Sequence, residues 1–387
     1  MIDVFRMKRI LFINGHLNAG GVERSLADIL RHIDYSKYAV DLLLLEDVGD
    51  YLDELPPQLN VIFRDLRNTY GGFLRAVCRC IAARDWICLK MRLLLLLRKW
   101  NGNHALKPAA NILLGEHYYD CAIGFRRGIC SDLVAYSVCA KRKLTWWHHG
   151  VFNTDPKVYA DMCQNMDAVG AVSSACFKML YQEVPEIRDK LVYIPNMLDA
   201  GAVKEKAQEG IYRGKGKCIV SVGGLVPEKH FENALPTAQA MLDSGIDFTW
   251  HIVGDGPERS KLEALITENQ MEERIVLEGS KSNPYPYIKN ADLFVHPSYV
   301  ESQGLTVLEA MALGVPCVVT KSLGPCEFIE DGVNGLLTEQ SPESLSEKVL
   351  EILQDKELYQ RIKDNTHCPE QFSPERVMKQ IEAFIDG

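Results

Sequence analysis

HPSYVESQGLTVLEAMALGVPCVVT, residues 296–320, reads as a polar segment joining two β/α units. An aliphatic run, Leu293 to Val295, feeds it. The polar segment ends at Gly304, apolar residues at helical spacing run to about Leu313, Gly314 closes the helix, and a new strand follows at Cys317 to Thr320. Such a helix starts at the carboxyl end of a strand, where α/β sheets bind ligands, so the N–H groups of Leu305 and Thr306 are predicted to face a cleft. Glu309 lies inside the otherwise apolar helix, and Glu301 precedes it by eight residues. A carboxylate withdrawn from water there needs hydrogen-bond donors, and the hydroxyls of a ribose or hexose would serve. An acid/base pair for hydrolysis is the competing idea. On a continuous helix the two carboxylates would stand about 12 Å apart, beyond either hydrolytic geometry, although a loop position for Glu301 weakens that objection.

Outward from this stretch the same alternation repeats. Strands are predicted at Ile10 to Ile13, Val40 to Leu45, Cys121 to Gly124, Leu144 to Trp147, Ala168 to Val172, Cys218 to Val222, Phe248 to Val253 and Ile275 to Leu277, besides the two above, with helical periodicity between them. Ten strands in 387 residues exceed one compact unit and imply two α/β domains of roughly 150 to 200 residues. The boundary is placed at IPNMLDAG, because the polar stretch leading to GKGK lacks periodicity. The expected division is 1–196, 197–371 and a terminal helix over 372–387, whose Val377, Ile381 and Ile385 fall at helical spacing and whose docking place is expected on the first domain.

Two further turns have the composition of anion sites. In GHLNAGGVERSL, Gly20 and Gly21 let backbone approach a ligand at a helix start, although the Gly-x-Gly-x-x-Gly dinucleotide fingerprint is absent. In SVGGLVPEKH, Lys229 stands near a helix N-terminus, where it opposes the dipole and suits a phosphate. An ordinary strand-to-helix turn and a lone surface lysine would look the same in isolation.

Taken together the segments resemble glycosyltransferase family 4, the group 1 glycosyl transferases: retaining enzymes of the GT-B fold with a Glu-x7-Glu signature. ESQGLTVLE carries that signature, and AGGVERS, WWHHG, GGLVPEKH, HIVGDGP, ADLFVHPS and GPCEFIEDGVNGLL follow the family's order across about residues 10–338. The resemblance implies two Rossmann-like doubly wound domains facing each other across a cleft. It implies a sugar moved from a nucleotide-sugar, a UDP-sugar by preference, to a glycan or lipid-linked acceptor in polysaccharide or glycolipid synthesis. Glu309 would bind the nucleotide ribose, Glu301 the sugar hydroxyls, and Gly304, Leu305 and Thr306 the diphosphate or sugar. Lys229 would neutralise the leaving diphosphate beside Gly224, with Gly20 and Gly21 closing from the other domain. His149 would sit by the reacting sugar, with His148 as the alternative. No Asp-x-Asp occurs, so no metal and no cofactor are expected. Two departures stand out. Gly223, Gly224 and Leu225 replace the family's Gly-Arg-Leu, leaving Arg24 and Arg126 as substitutes for the lost arginine, and Gln303 replaces an aromatic.

Composition sets outer bounds. Hydrophobic residues at 47% and charged ones at 25% fit a globular chain. Twelve cysteines without a Cys-x-x-Cys pair favour a reducing, cytoplasmic setting over disulfides or zinc. A net charge of −9 argues against nucleic acid as partner. Arg75, Arg79, Arg84, Lys90, Arg92, Arg98, Lys99 and Lys107, however, face Asp85 alone. Within residues 85–100, Trp86, Leu89, Leu93, Leu96, Leu97 and Trp100 share a helical face, which either meets an anionic membrane or packs on the core. Two other functions fit the same fold: a nucleotide-sugar epimerase, and a non-catalytic partner of another transferase, which the missing arginine and Gln303 would suit.

Overall fold

The computed structural model describes residues 6–18, 20–210 and 216–387. Two all-parallel sheets organise it. The first runs through β1 (Lys8–Asn14), β2 (Tyr38–Leu44), β3 (Asn60–Phe63), β4 (Tyr119–Gly124), β5 (Ala140–Trp147), β6 (Ala168–Ala171) and β7 (Leu191–Tyr193), in the spatial order β3-β2-β1-β4-β5-β6-β7. The second comprises β8 (Lys217–Val222), β9 (Phe248–Val253), β10 (Ile275–Gly279), β11 (Leu293–His296), β12 (Cys317–Thr320) and β13 (Leu336–Thr338), ordered β10-β9-β8-β11-β12-β13. Both are doubly wound with helices on both faces, which buries strands on both sides and explains their near-continuous aliphatic composition.

All ten expected strands form. Three more were not read from the sequence: β3 is a half-exposed edge, and β7 and β13 are three residues each. The stretch after IPNMLDAG is not wholly irregular either. A helix, Ala200–Lys206, forms there because the Asp199 carboxylate accepts from the Ala202 N–H at 2.9 Å. Residues 211–215, which end the polar stretch and begin GKGK, lie outside the described residues.

The terminal helix, Pro374–Asp386, docks on the first domain, as expected. Val377, Met378, Ile381, Phe384 and Ile385 join that domain's core. The Phe384 ring meets Trp146 edge-on at 4.9 Å, and Arg142 Nε donates to the Phe384 carbonyl at 3.0 Å. The chain thus crosses between domains twice, and the crossings touch where the Leu198 N–H donates to the Phe372 carbonyl at 2.8 Å.

The basic, leucine-rich helix Trp86–Asn101 turns only Cys88 and Met91 fully inward. Its predicted apolar stripe is only partly covered: Leu89 packs against the core, whereas Trp86 is 61% and Trp100 81% exposed, and Leu93 and Leu97 are exposed between them. Leu74 and Ile81 of the preceding helix, Phe73–Ala82, extend the exposed apolar surface. Among the described residues no helix is long and apolar enough to cross a membrane, and all twelve cysteines are free.

Candidate active site

In the second sheet the strand order reverses between β8 and β11, and there the loops that follow the two strands diverge to leave a crevice. The loop after β8 carries Gly223, Gly224 and Lys229, and the loop after β11 carries Glu301. The Lys229 ammonium pairs with the Glu301 carboxylate, and His296 Nε2 lies 3.1 Å from the same carboxylate oxygen. Burial alone would raise the Glu301 carboxyl, but Lys229 and His296 override it and hold it far below the ordinary carboxylate range. Burial pushes the imidazole of His296 down, against the opposing pull of its hydrogen bond to Glu301. Beside Lys229, His230 adopts φ 47°, ψ 43° and stacks its ring on Tyr299 at 3.8 Å. That left-handed turn fixes where the lysine leaves the backbone.

Glu301 lies in the loop rather than on the helix, which begins at Leu305. Gly304 precedes it with φ 88°, and a Cβ there would come within 2.9 Å of Pro325 Cγ, so no other residue fits without movement. The first helical N–H groups, at Leu305 and Thr306, border the cleft. One turn on, Glu309 is 6% exposed and accepts from the Tyr285 hydroxyl at 3.1 Å. Burial raises its carboxyl to about 7, against the opposing pull of Arg24 and the Tyr285 hydrogen bond.

Arg24 belongs to the other domain. It sits on the helix Gly21–His32, whose glycine start faces this cleft: a Cβ on Gly21 would lie 3.8 Å from Leu305 Cδ1. The enclosed space is about 390 Å³ and is bordered by Gly20, Gly21, Gly224, Lys229, Glu301, Gly304, Leu305, Thr306 and Glu309. Nine of the ten residues singled out in the sequence therefore converge.

His149 is the tenth, and it does not border this space; His148 does. Strand alternation beyond Trp147 turns the first histidine toward the cleft. The His149 carbonyl accepts from Trp147 Nε1 at 2.6 Å, and burial together with Arg127 and Arg126 lowers its imidazole to about 4. His148 is 8% exposed, its ring 4.6 Å from that of Phe125, and neither ring nitrogen meets hydrogen-bond geometry among the described residues. Burial and the neighbouring His149 depress it to about 3, although the nearby Phe125 backbone favours the charged ring. Next in sequence, Gly150 lies against the donor loop: a Cβ on it would stand 3.1 Å from the Glu301 carbonyl carbon.

The two departures from the family pattern find places. Gln303 is buried and pairs twice with one backbone unit of the interdomain linker: Oε1 accepts from the Asn196 N–H at 2.7 Å and Nε2 donates to the Asn196 carbonyl at 2.9 Å. The Asn196 side chain in turn accepts from the Ser25 hydroxyl at 2.7 Å. Of the two arginines that could replace the lost one, Arg24 faces Glu309 and Tyr285, while Arg126 contacts Glu23 at 3.2 Å and His16 at 2.9 Å.

Residues 203–367 match the family model of the group 1 glycosyl transferases. The matched segment is the one that holds Lys229, Glu301 and Glu309. Among curated proteins it is 27% identical to N-acetyl-alpha-D-glucosaminyl L-malate synthase of Bacillus anthracis, over 66% of this chain and 71% of that protein. It is 32% identical to alpha-D-kanosaminyltransferase of Streptomyces kanamyceticus over 38% of this chain, and spans 39% of that protein's length. Among solved structures, Anabaena HepE in complex with UDP and glucose superposes with a TM-score of 0.70 at 20% identity, covering 99% of this chain and all of that one. A variant of Staphylococcus aureus TarM with UDP bound gives a TM-score of 0.73 at 14% identity over 98% of this chain and 100% of the other. These likenesses establish the two-domain GT-B architecture.

The sequence reading missed His296 and Tyr285, and it offered the cleft-facing His148 only as the alternative to His149. His296 had a visible signal, a histidine five positions before Glu301 at a strand end. Tyr285 had none, because its role arises from a contact across elements.

Proposed function

We propose that the protein transfers a hexosyl group from a nucleoside diphosphate sugar, a UDP-sugar by preference, to a glycan or lipid-linked acceptor, with retention at the anomeric carbon and without a metal. The observation that carries this reading is the Lys229–Glu301 pair at the second sheet's switch point, set beside a helix N-terminus and faced by Gly20 and Gly21. A diphosphate entering this crevice would take the Lys229 ammonium and the N–H groups of Leu305 and Thr306 as counter-charge, and Glu301, released from Lys229, would accept from sugar hydroxyls. Glu309 would accept from the ribose. As the bond from the anomeric carbon to the phosphate oxygen breaks, Lys229 and the helix dipole stabilise the charge on that oxygen. The acceptor oxygen attacks from the same face, and its proton passes to the departing phosphate. His148 borders this space and His149 stands behind it, so His148 is the residue better placed against the sugar.

Binding of UDP by HepE and by the TarM variant supports the choice of uridine nucleotide. The exposed apolar and basic surface of Leu74, Ile81, Trp86, Leu93, Leu97 and Trp100 supports peripheral attachment to an anionic membrane that holds the acceptor. Calorimetry with nucleoside diphosphates and nucleotide sugars in EDTA tests the donor site. Micromolar binding of one nucleotide, lost in Glu309→Ala, is the expected result. No binding by any nucleotide, with or without magnesium, would sink the reading in favour of a non-catalytic partner.

A further inference from the structure

Glu309 poses a problem of charge. It is buried in the cleft wall, and its hydrogen-bond partner, the Tyr285 hydroxyl, is neutral. A carboxylate withdrawn from water without a counter-charge takes up a proton, and a protonated carboxyl has less capacity to accept from hydroxyl groups. Three lysine or arginine side chains border this cleft among the described residues: Arg24, Lys229 and Lys281. Lys229 is taken by Glu301, and Lys281 reaches Glu278 at 4.0 Å and lies over the Tyr287 ring. Arg24, from the first domain, is the cation left to face Glu309.

The position of Arg24 is fixed from several sides. It is buried and lies 5.5 Å over the Tyr51 ring; its Nε donates to Asp28 Oδ2 at 3.3 Å, one turn on, and its Nη1 to Glu54 Oε2 at 3.3 Å. Glu54 also accepts from Arg31 at 3.2 Å and from Lys206 at 2.6 Å. Lys206 ends the helix Ala200–Lys206, whose Val203 packs in the second domain's core, and His32 Nε2 lies 3.3 Å from the Asp199 carboxylate that caps this helix. The carboxylate that orients Arg24 is therefore gripped by both domains. Burial works against the charge on Arg24, but Asp28, Tyr285, Glu54 and Glu309 more than offset it, so the guanidinium keeps its proton. The titratable groups that face Glu309 are Arg24 and Asp28 of the helix Gly21–His32, Tyr51 and Tyr285, and of these Arg24 alone is positive.

We propose that Arg24 is a positioning residue for the donor nucleotide: from the first domain it supplies the counter-charge to Glu309, so that the ribose site of the second domain is complete only while the domains are closed over it. Arg24 then does not replace the arginine missing at residues 223–225, whose place is at the diphosphate; its charge goes to the ribose carboxylate. In its choice of nucleotide this role rests on the transferase reading, whereas the pairing of charges does not. The consequence is selectivity. Ribose hydroxyls bind well only where Glu309 is ionised, and Arg24 sets the pH down to which that holds.

The probes are UDP and 2′,3′-dideoxy-UDP, which differ only in the two ribose hydroxyls, titrated by calorimetry into the full chain across a range of pH; the ratio of their affinities cancels the ionisation of the diphosphate itself. Wild type should prefer UDP by roughly tenfold or more above about pH 7 and lose the preference below it, as Glu309 protonates, and Glu309→Gln should show no such transition. In Arg24→Gln the pH at which the preference is half lost should rise to roughly 8 or higher, so that the preference is small at neutral pH and returns on the alkaline side, and Arg24→Lys should move it back toward wild type. An arginine that only braces the fold would weaken both nucleotides alike at every pH. Should Arg24→Gln not fold because Asp28 loses a partner, Arg24→Gln combined with Asp28→Asn removes both charges and should move the transition in the same direction by less. A transition that stays at the wild-type pH in either folded variant would overturn the proposal. If neither nucleotide binds, the donor reading fails instead, and the infrared carboxyl band that Glu309→Gln deletes from the ligand-free chain still decides: it should titrate at higher pH in Arg24→Gln than in wild type, and an equal pH would overturn the assignment of charge to Arg24.

Discussion

The two sheets share one topology, and their two switch points differ in how their charges are balanced. At β8/β11, Lys229 is already paired with Glu301, and Glu301 is also held by His296. At β1/β4, Arg127 has no carboxylate partner among the described residues: it donates to Asn153 and lies over the Trp147 ring. The topology supplies diverging loops and helix starts in both places; side chains alone decide what each can take. A crevice whose cation is paired must exchange partners when a ligand enters, which favours a ligand that offers both an anion for Lys229 and hydroxyls for Glu301. A sugar diphosphate meets that requirement.

That contrast can be broken by substitution. Lys229→Ala should act hardest, lowering kcat by about 10²–10³, the scale of losing one charge aimed at a developing oxyanion; initial rates with saturating donor would show it. A fall of less than tenfold would mean that the helix N-terminus alone carries the leaving group. Glu309→Ala should next weaken nucleotide binding by roughly 10–100-fold, as expected for a charged hydrogen bond, measured by calorimetry.

Acidity should follow the same carboxylate. The unfolded chain ionises Glu309 near its ordinary 4.5 and the folded chain near 7, so unfolding releases a proton in that window and stability falls as pH rises through it, levelling off above 7. Glu309→Gln should therefore raise the thermal midpoint at pH 8 and leave it nearly unchanged at pH 4. The smallest effect is expected at Gln303. Gln303→Ala removes both bonds to the Asn196 backbone, and should raise the donor KM a few-fold by loosening how the two domains face each other, with kcat less affected. Gln303→Glu should not rescue, since a carboxylate cannot donate to the Asn196 carbonyl. An equal fall in kcat and kcat/KM would instead place Gln303 in the chemistry.

Much of the second domain was legible because its information is local. A strand, a glycine, a helix and a carboxylate eight residues earlier lie within residues 293–309, and nine site residues found from such patterns meet in space. The histidine was harder, since His148 and His149 are separated by one step of strand alternation and only the register of Trp147 against Ala171 settles which ring turns to the cleft. Gln303 looked like a lesion and proved to be a bond to a linker more than a hundred residues away, which no spacing rule reveals. The exposed stripe of Trp86–Asn101 shows the opposite limit. Periodicity finds an apolar face without saying what covers it, and here Cys88 and Met91 are turned fully to the core and Leu89 and Leu94 partly, while Leu93 and Leu97 are exposed.

The terminal helix sets an order of events for the ribosome. Five apolar side chains of Pro374–Asp386 complete the first domain's core, a contribution on the order of 10 kcal/mol before entropy is counted. The first domain's strands are synthesised early, yet Trp146 and its neighbours wait for Phe384 until nearly two hundred further residues have been made. During that interval the nascent first domain has an open apolar groove, whereas the second domain can close as soon as its own strands are out. The domain made first is thus the one finished last, and a nascent chain stalled before residue 374 should be held by chaperones at its amino-terminal half.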